Sequence, residues 1–150
     1  MAVVNMTKQA PPVSSTQIEQ FERRNGITLP EAYKAFLLRT NGGEPSSPHL
    51  IVPGWHGRST GLSRFFGLGE GGNYDLEKSL SGAEDYVPSG FVPIAEDSGG
   101  NMLCLGISGH HAGKVFFWDH EVEQGDDPRN LHEVAGSIEE LLEKLLPPDL

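Results

Sequence analysis

The hydrophobic spacing near the start of the chain predicts two helices in succession. An amphipathic run over residues 18–25 directs Ile18 and Phe21 inward and ends at Gly26, which suits the left-handed position after a helix. Pro30 then suits the first turn of a second helix. In that helix the spacing i, i+3, i+4 and i+7 connects Tyr33, Phe36, Leu37 and Thr40. Each segment has one apolar face, so we expect the two helices to pack against a common core.

Two pairs of polar residues mark expected helix starts. Thr16 with Glu19, and Ser137 with Glu140, have the spacing of capping boxes. The second pair would open a terminal helix that ends before Pro147 and buries a stripe comprising Ile138, Leu141, Leu142 and Leu145. The chain is thus expected to have helices at both ends.

Between these helices the chain consists of short apolar segments joined by glycine-bearing turns. They predict strands at 50–52, 64–66, 91–95, 102–107 and 114–118, with an edge strand at 131–135 and a short helix at 74–80. Sequential strands with short turns favour an antiparallel meander. The pattern indicates a single α+β domain, a mainly antiparallel sheet with the N-terminal helix pair and the C-terminal helix packed on it. We assign this domain to residues 14–150 and a flexible arm to residues 1–13.

One stretch of the chain resembles the SUKH superfamily, which includes a fungal regulator of cell-wall synthesis and many bacterial immunity proteins. The family's LP-x-x-Y-x-x-FL helix ending in NGG is matched by Leu29, Pro30, Tyr33, Phe36, Leu37, Asn41, Gly42 and Gly43. A Pro-Ile-Ala step at 93–95, an acidic glycine turn at 97–101 and later strands follow in the family's order. The resemblance implies a SUKH-like α+β domain over most of the chain.

Charge narrows the kinds of partner that the surface can take. The 150 residues include 11 basic and 21 acidic side chains, for a net charge of −10. Residues 61–150 alone hold seventeen acidic and five basic side chains. Such a surface repels phosphates and anionic lipids, so we expect no nucleic-acid or membrane partner.

The absence of membrane and secretion signals, together with the single cysteine, favours a cytoplasmic protein. No apolar run is long enough to span a bilayer, and residues 1–13 lack the charged start and apolar centre of a secretory signal. The single cysteine, Cys104, has no partner for an internal disulfide and lies in an apolar run, so we expect it in the core.

A glycine-rich loop is the first of several incomplete signals for ligand binding or catalysis. Gly67, Gly69 and Gly72 have the spacing G-x-G-x-x-G after a strand and before a helix. However, Glu70 between them opposes a phosphate, and no βαβ alternation follows. A flexible turn is the favoured interpretation, with a small-ligand or enzymatic role at residues 67–72 as an alternative.

Metal and nucleophile patterns are also incomplete. The six histidines lack the spacing of metal ligands, and residues 97–101 lack the alternating oxygen ligands of a calcium loop. No serine lies in a G-x-S-x-G elbow, and a thiolate at Cys104 would be costly in an apolar strand. We therefore predict no enzymatic activity, no cofactor and no metal.

Recognition by surface contacts is the function that these observations favour. Tryptophan is common among interface anchors, and aromatic rings beside carboxylates suit an arginine or lysine from a partner. The predicted partner-binding residues are Trp55, Asp97, Trp118, Asp119, Glu121, Glu123, Asp126 and Asp127. A core position for each tryptophan, and a solvated loop for the acidic run, are the alternatives.

The resemblance adds a role to this surface. It implies a non-enzymatic immunity protein that captures a cognate toxin domain, often a nuclease, and occludes its site. A nuclease presents a basic groove to its substrate, so an acidic inhibitor would be steered towards it. The fungal branch implies the alternative, an intracellular scaffold or regulatory adaptor with no toxin partner.

Overall fold

The computed structural model describes residues 5–121 and 130–148, which form an α+β domain. The helices are α1 (Ser15–Asn25), α2 (Glu31–Arg39), α3 (Leu76–Gly82) and α4 (Ile138–Lys144). The strands are β1 (Met6–Thr7), β2 (Glu44–Pro45), β3 (His49–Ile51), β4 (Ser59–Phe65), β5 (Phe91–Asp97), β6 (Met102–Gly106), β7 (Val115–Trp118) and β8 (Leu131–Ala135). A single 3-10 turn, Gly109–His111, lies in the β6–β7 connection of this described region. No described helix has both the length and the apolarity needed to cross a membrane.

Six of these strands form an antiparallel meander in the order β3-β4-β5-β6-β7-β8. Every neighbour in the sheet is also a neighbour in sequence, which confirms the predicted topology and the predicted last strand at 131–135. Pro93 lies inside β5 although it cannot donate to the ladder. The strand is irregular between Pro93 and Ala95, and this bulge accommodates the proline.

The main core lies on one face of the sheet, which we call the inner face. Alternate residues of the central strands, such as Leu103, Leu105 and Phe117, point to this side and belong to one buried cluster. Helix residues join the same cluster: Ile18 and Phe21 of α1, Tyr33, Phe36 and Leu37 of α2, and Ile138, Leu141 and Leu142 of α4. The predicted apolar faces of the helix pair and the terminal helix are therefore confirmed.

The N-terminal segment differs from the prediction. Residues 5–13 do not form a loose arm, because Met6 and Thr7 pair with β2 as the strand β1. The amide of Ala10 also donates to the carbonyl of Asn41, at 2.9 Å. The sequence does not predict this pairing, because a two-residue strand has too few residues to produce a readable pattern.

The ends of the helices follow the sequence with two corrections. The cap of α1 is Ser14 with Gln17, in which each side chain bonds the other residue's amide, and not Thr16 with Glu19. The short helix begins at Leu76, two residues later than predicted, because the side chain of Asp75 caps it. At α4 the prediction is confirmed in its main part, since the hydroxyl of Ser137 accepts from the amide of Glu140 at 3.1 Å.

Candidate functional site

A row of paired residues crosses the other, outer face of the sheet. Glu96 pairs with Met102, and Met102 pairs with Trp118, on three successive strands. Arg64 and Leu131 extend the row at its two ends. Directly paired residues of antiparallel strands share a face, so these side chains lie side by side, with about 5 Å between neighbouring strands.

The described residues cover this outer face only in part. A second, small cluster packs Ala83 and Val87, which follow α3, against Cys104 and Trp118 of the sheet. Trp118 is only 4% exposed, and its indole Nε1 has no hydrogen-bond partner among the described residues. The predicted core position of Cys104 is confirmed, and burial raises the pKa of its thiol far above the ordinary value.

A cavity of about 410 Å³ lies between the row and the C-terminal end of α3. We call it the outer cavity. Its lining residues are Phe66, Asn73, Ser79, Gly82, Ala83, Tyr86, Glu96, Gly100, Met102, Trp118 and His120. Tyr86 is 42% exposed and therefore lies at the mouth. The described lining combines three aromatic residues, one carboxylate and one imidazole, with no lysine or arginine among these residues.

Glu96 contributes the carboxylate of the outer cavity. Burial, together with the neighbouring charge of Asp97, raises the pKa of Glu96 above its ordinary value. Arg64, its neighbour in the row, acts in the opposite direction but is stacked on Tyr74, with 4.0 Å between the guanidinium carbon and the ring centre. Among the described residues, Glu96 thus has a basic neighbour but no ion pair.

His120 is held in one orientation by a chain of hydrogen bonds. Its Nδ1 lies 2.6 Å from Oδ1 of Asn101, whose amide nitrogen donates in turn to Oδ2 of Asp97 at 2.9 Å. Because Asn101 offers its oxygen, which only accepts, Nδ1 of His120 carries the proton. In the neutral ring, Nε2 is then the nitrogen that remains as an acceptor.

Asp97 serves the turn between β5 and β6. Its carboxylate also accepts from the amides of Gly99 and Asn101, at 2.9 and 2.8 Å, and from the hydroxyl of Thr60 at 2.6 Å. Residues 97–101, named above as an acidic glycine turn, therefore form a tight turn that the carboxylate of Asp97 holds. No group of three or more potential metal-ligating side chains occurs in the part of the chain described.

A family model for the SMI1/KNR4 family (SUKH-1) matches residues 12–144. The chain belongs to this SUKH-1 family. It is also similar to the SPbeta prophage-derived uncharacterized protein YokK of Bacillus subtilis (strain 168). The two are 30% identical over 149 residues, which cover 89% of this chain and 74% of YokK. The resemblance read from the LP-x-x-Y-x-x-FL and NGG motifs is confirmed.

The predicted partner-binding residues that the structure of this SUKH-1 domain describes do not all lie on one surface. Asp97 is 4% exposed and Asp119 is 1% exposed, and both carboxylates accept hydrogen bonds from within the domain. The prediction that these two contact a partner directly is therefore corrected, because a buried, bonded carboxylate is not available to one. Glu121 is exposed. Glu123, Asp126 and Asp127 lie outside the described residues.

The two tryptophans lie on opposite sides of β7. The ring of Trp55 packs on Phe117 of the inner face, with 4.6 Å between ring centres, whereas Trp118 follows Phe117 and faces outward. Nε1–H of Trp55 donates to Oδ2 of Asp119 at 2.9 Å, and this bond ties the β3–β4 loop to the end of β7. The alternative stated for Trp55, a packing role, is the one that the geometry supports.

The glycine loop of the SUKH-1 domain is closed by its own carboxylates. The amide of Gly71 donates to Asp75, and the amides of Gly72 and Tyr74 donate to Glu70. These donors are the ones that a phosphate would need, and the helix that follows has only seven residues. The flexible-turn interpretation fits this arrangement better than a phosphate cradle does.

Three residues that build the outer cavity were not predicted from the sequence: Tyr86, Glu96 and His120. Glu96 had a usable signal, because it alternates with inward residues of β5 and so shares the outer face with Trp118. His120 and Tyr86 had none, since each lies in a connection whose path depends on the packed sheet.

Proposed function

We propose that this SUKH-1 domain is a non-enzymatic protein-binding module, an immunity protein that neutralises a basic toxin domain by occluding its site. The observation that carries the proposal is the outer cavity, an aromatic-walled recess with a carboxylate and an oriented imidazole on a chain of net charge −10. Interfaces favour aromatic residues at their centre, and the acidic chain complements a basic partner. Membership of the SUKH-1 family and the prophage origin of YokK fit this role.

The chemistry of the buried groups also favours binding over catalysis. The carboxylates of Asp97 and Asp119 are occupied by amide, hydroxyl and indole donors of the domain. The thiol of Cys104 has a raised pKa and therefore little thiolate. Neither kind of group is arranged as a nucleophile beside a free base. The domain would act in the cytoplasm by covering the toxin surface, with no bond made or broken.

A neutralisation assay tests the proposal. The partner to try is the toxin domain encoded beside the gene for this chain, with nuclease activity on DNA or RNA as the readout. Purified chain should abolish that activity at about one equivalent and form a stable complex, because occlusion is stoichiometric. A toxin of the same class from an unrelated operon is the control, and it should remain active.

Two results would contradict the proposal. A complex that forms without loss of toxin activity would favour the regulatory-adaptor alternative. Turnover of a small metabolite by the purified chain would favour an enzyme. Either result can be obtained with the unaltered protein, so neither depends on a variant that might fold poorly.

A further inference from the structure

We infer that the outer cavity is a receptor for one arginine side chain presented by the partner protein. This inference rests on the proposed function only for the partner's identity, since the chemistry of the cavity is a property of the chain itself. Among the described residues, the cavity is also distinct from the set predicted from the sequence, because Trp118 alone belongs to both.

The walls suit a flat cation with an apolar stem. Tyr86 presents its ring at the mouth, the small exposed parts of Trp118 and Phe66 line the interior, and Met102 contributes a flexible apolar side chain between Glu96 and Trp118. A guanidinium stacks on aromatic rings and is less strongly hydrated than an ammonium, so it loses less on entering such a recess. The stack of Arg64 on Tyr74 shows this contact already formed within the domain.

The hydrogen-bond acceptors of the outer cavity also suit a guanidinium. Glu96 offers a carboxylate without an ion pair among the described residues, and His120 offers Nε2 because Asn101 occupies its Nδ1. A guanidinium carries five N–H donors spread around a plane, whereas an ammonium concentrates three at one point. Two separate acceptors, one on β5 and one in the turn after β7, with aromatic faces between them, are therefore better matched by arginine than by lysine.

The negative charge in and around the outer cavity favours a basic protein partner. Glu96 is the only Asp, Glu, Lys or Arg among the described residues that line the cavity, and the exposed Glu84 and Asp85 lie in the turn beside Tyr86. A partner with a net positive surface would bring an arginine to this mouth with favourable long-range attraction.

The first experiment titrates the full chain with a capped Gly-Arg-Gly peptide and follows the two indole N–H signals by NMR. Trp118 lines the cavity and Trp55 packs on the other side of β7, so Trp118 should shift and Trp55 should serve as the internal control. The matched peptide with citrulline in place of arginine keeps the shape and removes the charge. It should bind about tenfold more weakly, as should a Gly-Lys-Gly peptide.

Single substitutions then test which cavity residues contact the arginine peptide. Glu96→Gln should weaken the arginine peptide about tenfold, and Tyr86→Leu should weaken it severalfold, whereas Glu143→Gln, at an exposed position on α4 and away from the cavity, should leave it unchanged. Both cavity variants change partly exposed side chains, and an unchanged melting temperature would show that each is folded. Equal binding of the citrulline or lysine peptide, or an unmoved Trp118 signal, would overturn the inference.

The toxin assay separates this inference from the proposed function. If the unaltered chain fails to neutralise any toxin, the proposed function fails while the peptide titration still stands. If the unaltered chain neutralises and Glu96→Gln does so equally well, the cavity takes no part in the complex, and the inference is wrong for the partner. Loss of neutralisation confined to Glu96→Gln and Tyr86→Leu would support both.

Discussion

At the scale of single residues, Asn41 is the most connected polar side chain of the SUKH-1 motif. It is 2% exposed; its amide nitrogen donates to the carbonyls of Pro11 and Leu68, and its oxygen accepts from the amide of Leu68. Asn41→Ala would leave these buried groups unsatisfied, so we expect a loss of about 3 kcal/mol in the free energy of unfolding. Urea unfolding measures this loss. As a control, Asn73→Ala, at an exposed position, should change stability by less than about 0.5 kcal/mol. Similar losses for both variants would contradict a structural role for the buried hydrogen bonds of Asn41.

Gly42 and Gly26 form a matched pair that separates backbone strain from crowding. Both have positive φ, at 73° and 63°, but a Cβ at Gly42 would lie 2.8 Å from backbone atoms of Phe65 and Gly67, whereas none lies within 4 Å at Gly26. Gly26→Ala should cost about 1 kcal/mol and Gly42→Ala about 3 kcal/mol, since only the second adds overlap. Thermal unfolding of the two variants tests the difference. Equal losses would show that the loop at residues 65–67 moves aside.

At the scale of elements, an ion pair between Arg24 and Glu77 joins α1 to α3. The guanidinium of Arg24 donates to both oxygens of Glu77, at 2.9 and 3.0 Å, and Asn25 donates to the same carboxylate. These contacts lower the pKa of Glu77, with the Arg24 hydrogen bond as the main cause. Because the folded pKa lies below the unfolded one, this stabilisation is present above the unfolded pKa and is lost as the pH falls through the folded pKa.

Glu77→Gln tests how much the ion pair with Arg24 stabilises the fold. The pair is partly exposed, so the variant should lose no more than about 1 kcal/mol of stability at pH 7. The loss should shrink towards zero in acid, below the lowered pKa of Glu77. Chemical unfolding across a pH series measures both values, with Glu143→Gln, at an exposed position, as the control. A loss that stays constant down to low pH would assign the effect to packing.

Elements whose residues make local signals could be predicted from the sequence. The helix pair follows from its i, i+3 and i+4 spacing, and β5 to β7 follow from apolar runs bounded by glycine turns. The cap of α1 was misassigned because Ser14 and Thr16 each have a suitable partner three residues on, and only the extended backbone at Ser14 decides between them. The two-residue strands β1 and β2 exist through pairing with each other, which no local pattern records.

The candidate site was less predictable because it depends on register and on side-chain direction. Acidic residues at strand ends were expected on the surface, yet Asp97 and Asp119 turn inward to accept amide, hydroxyl and indole donors. Glu96 differs from Asp97 by one position, and that single step places it on the outer face beside Met102 and Trp118. Alternation along a strand is readable from sequence, but the identity of the facing residue on the next strand is not.

At the scale of the whole molecule, a net charge of −10 should control how fast the partner arrives more than how firmly it stays. Electrostatic attraction reaches about 30 Å at 0.01 M salt and about 8 Å at 0.15 M. The association rate with a basic toxin domain should therefore fall at least tenfold over this range. The dissociation rate should change little, because it depends on contacts that are desolvated within the complex.

Stopped-flow mixing at several salt concentrations measures this dependence with the toxin domain found in the neutralisation assay. Glu121→Lys reverses an exposed charge and should slow association without speeding dissociation. Asp119→Lys is unsuitable for the same purpose, because it would break the buried bond to Trp55 and so lower stability as well as charge. Glu96→Gln should act in the opposite way and raise the dissociation rate, since its carboxylate lies inside the outer cavity. An association rate independent of salt would show that the overall charge of the domain does not guide the encounter.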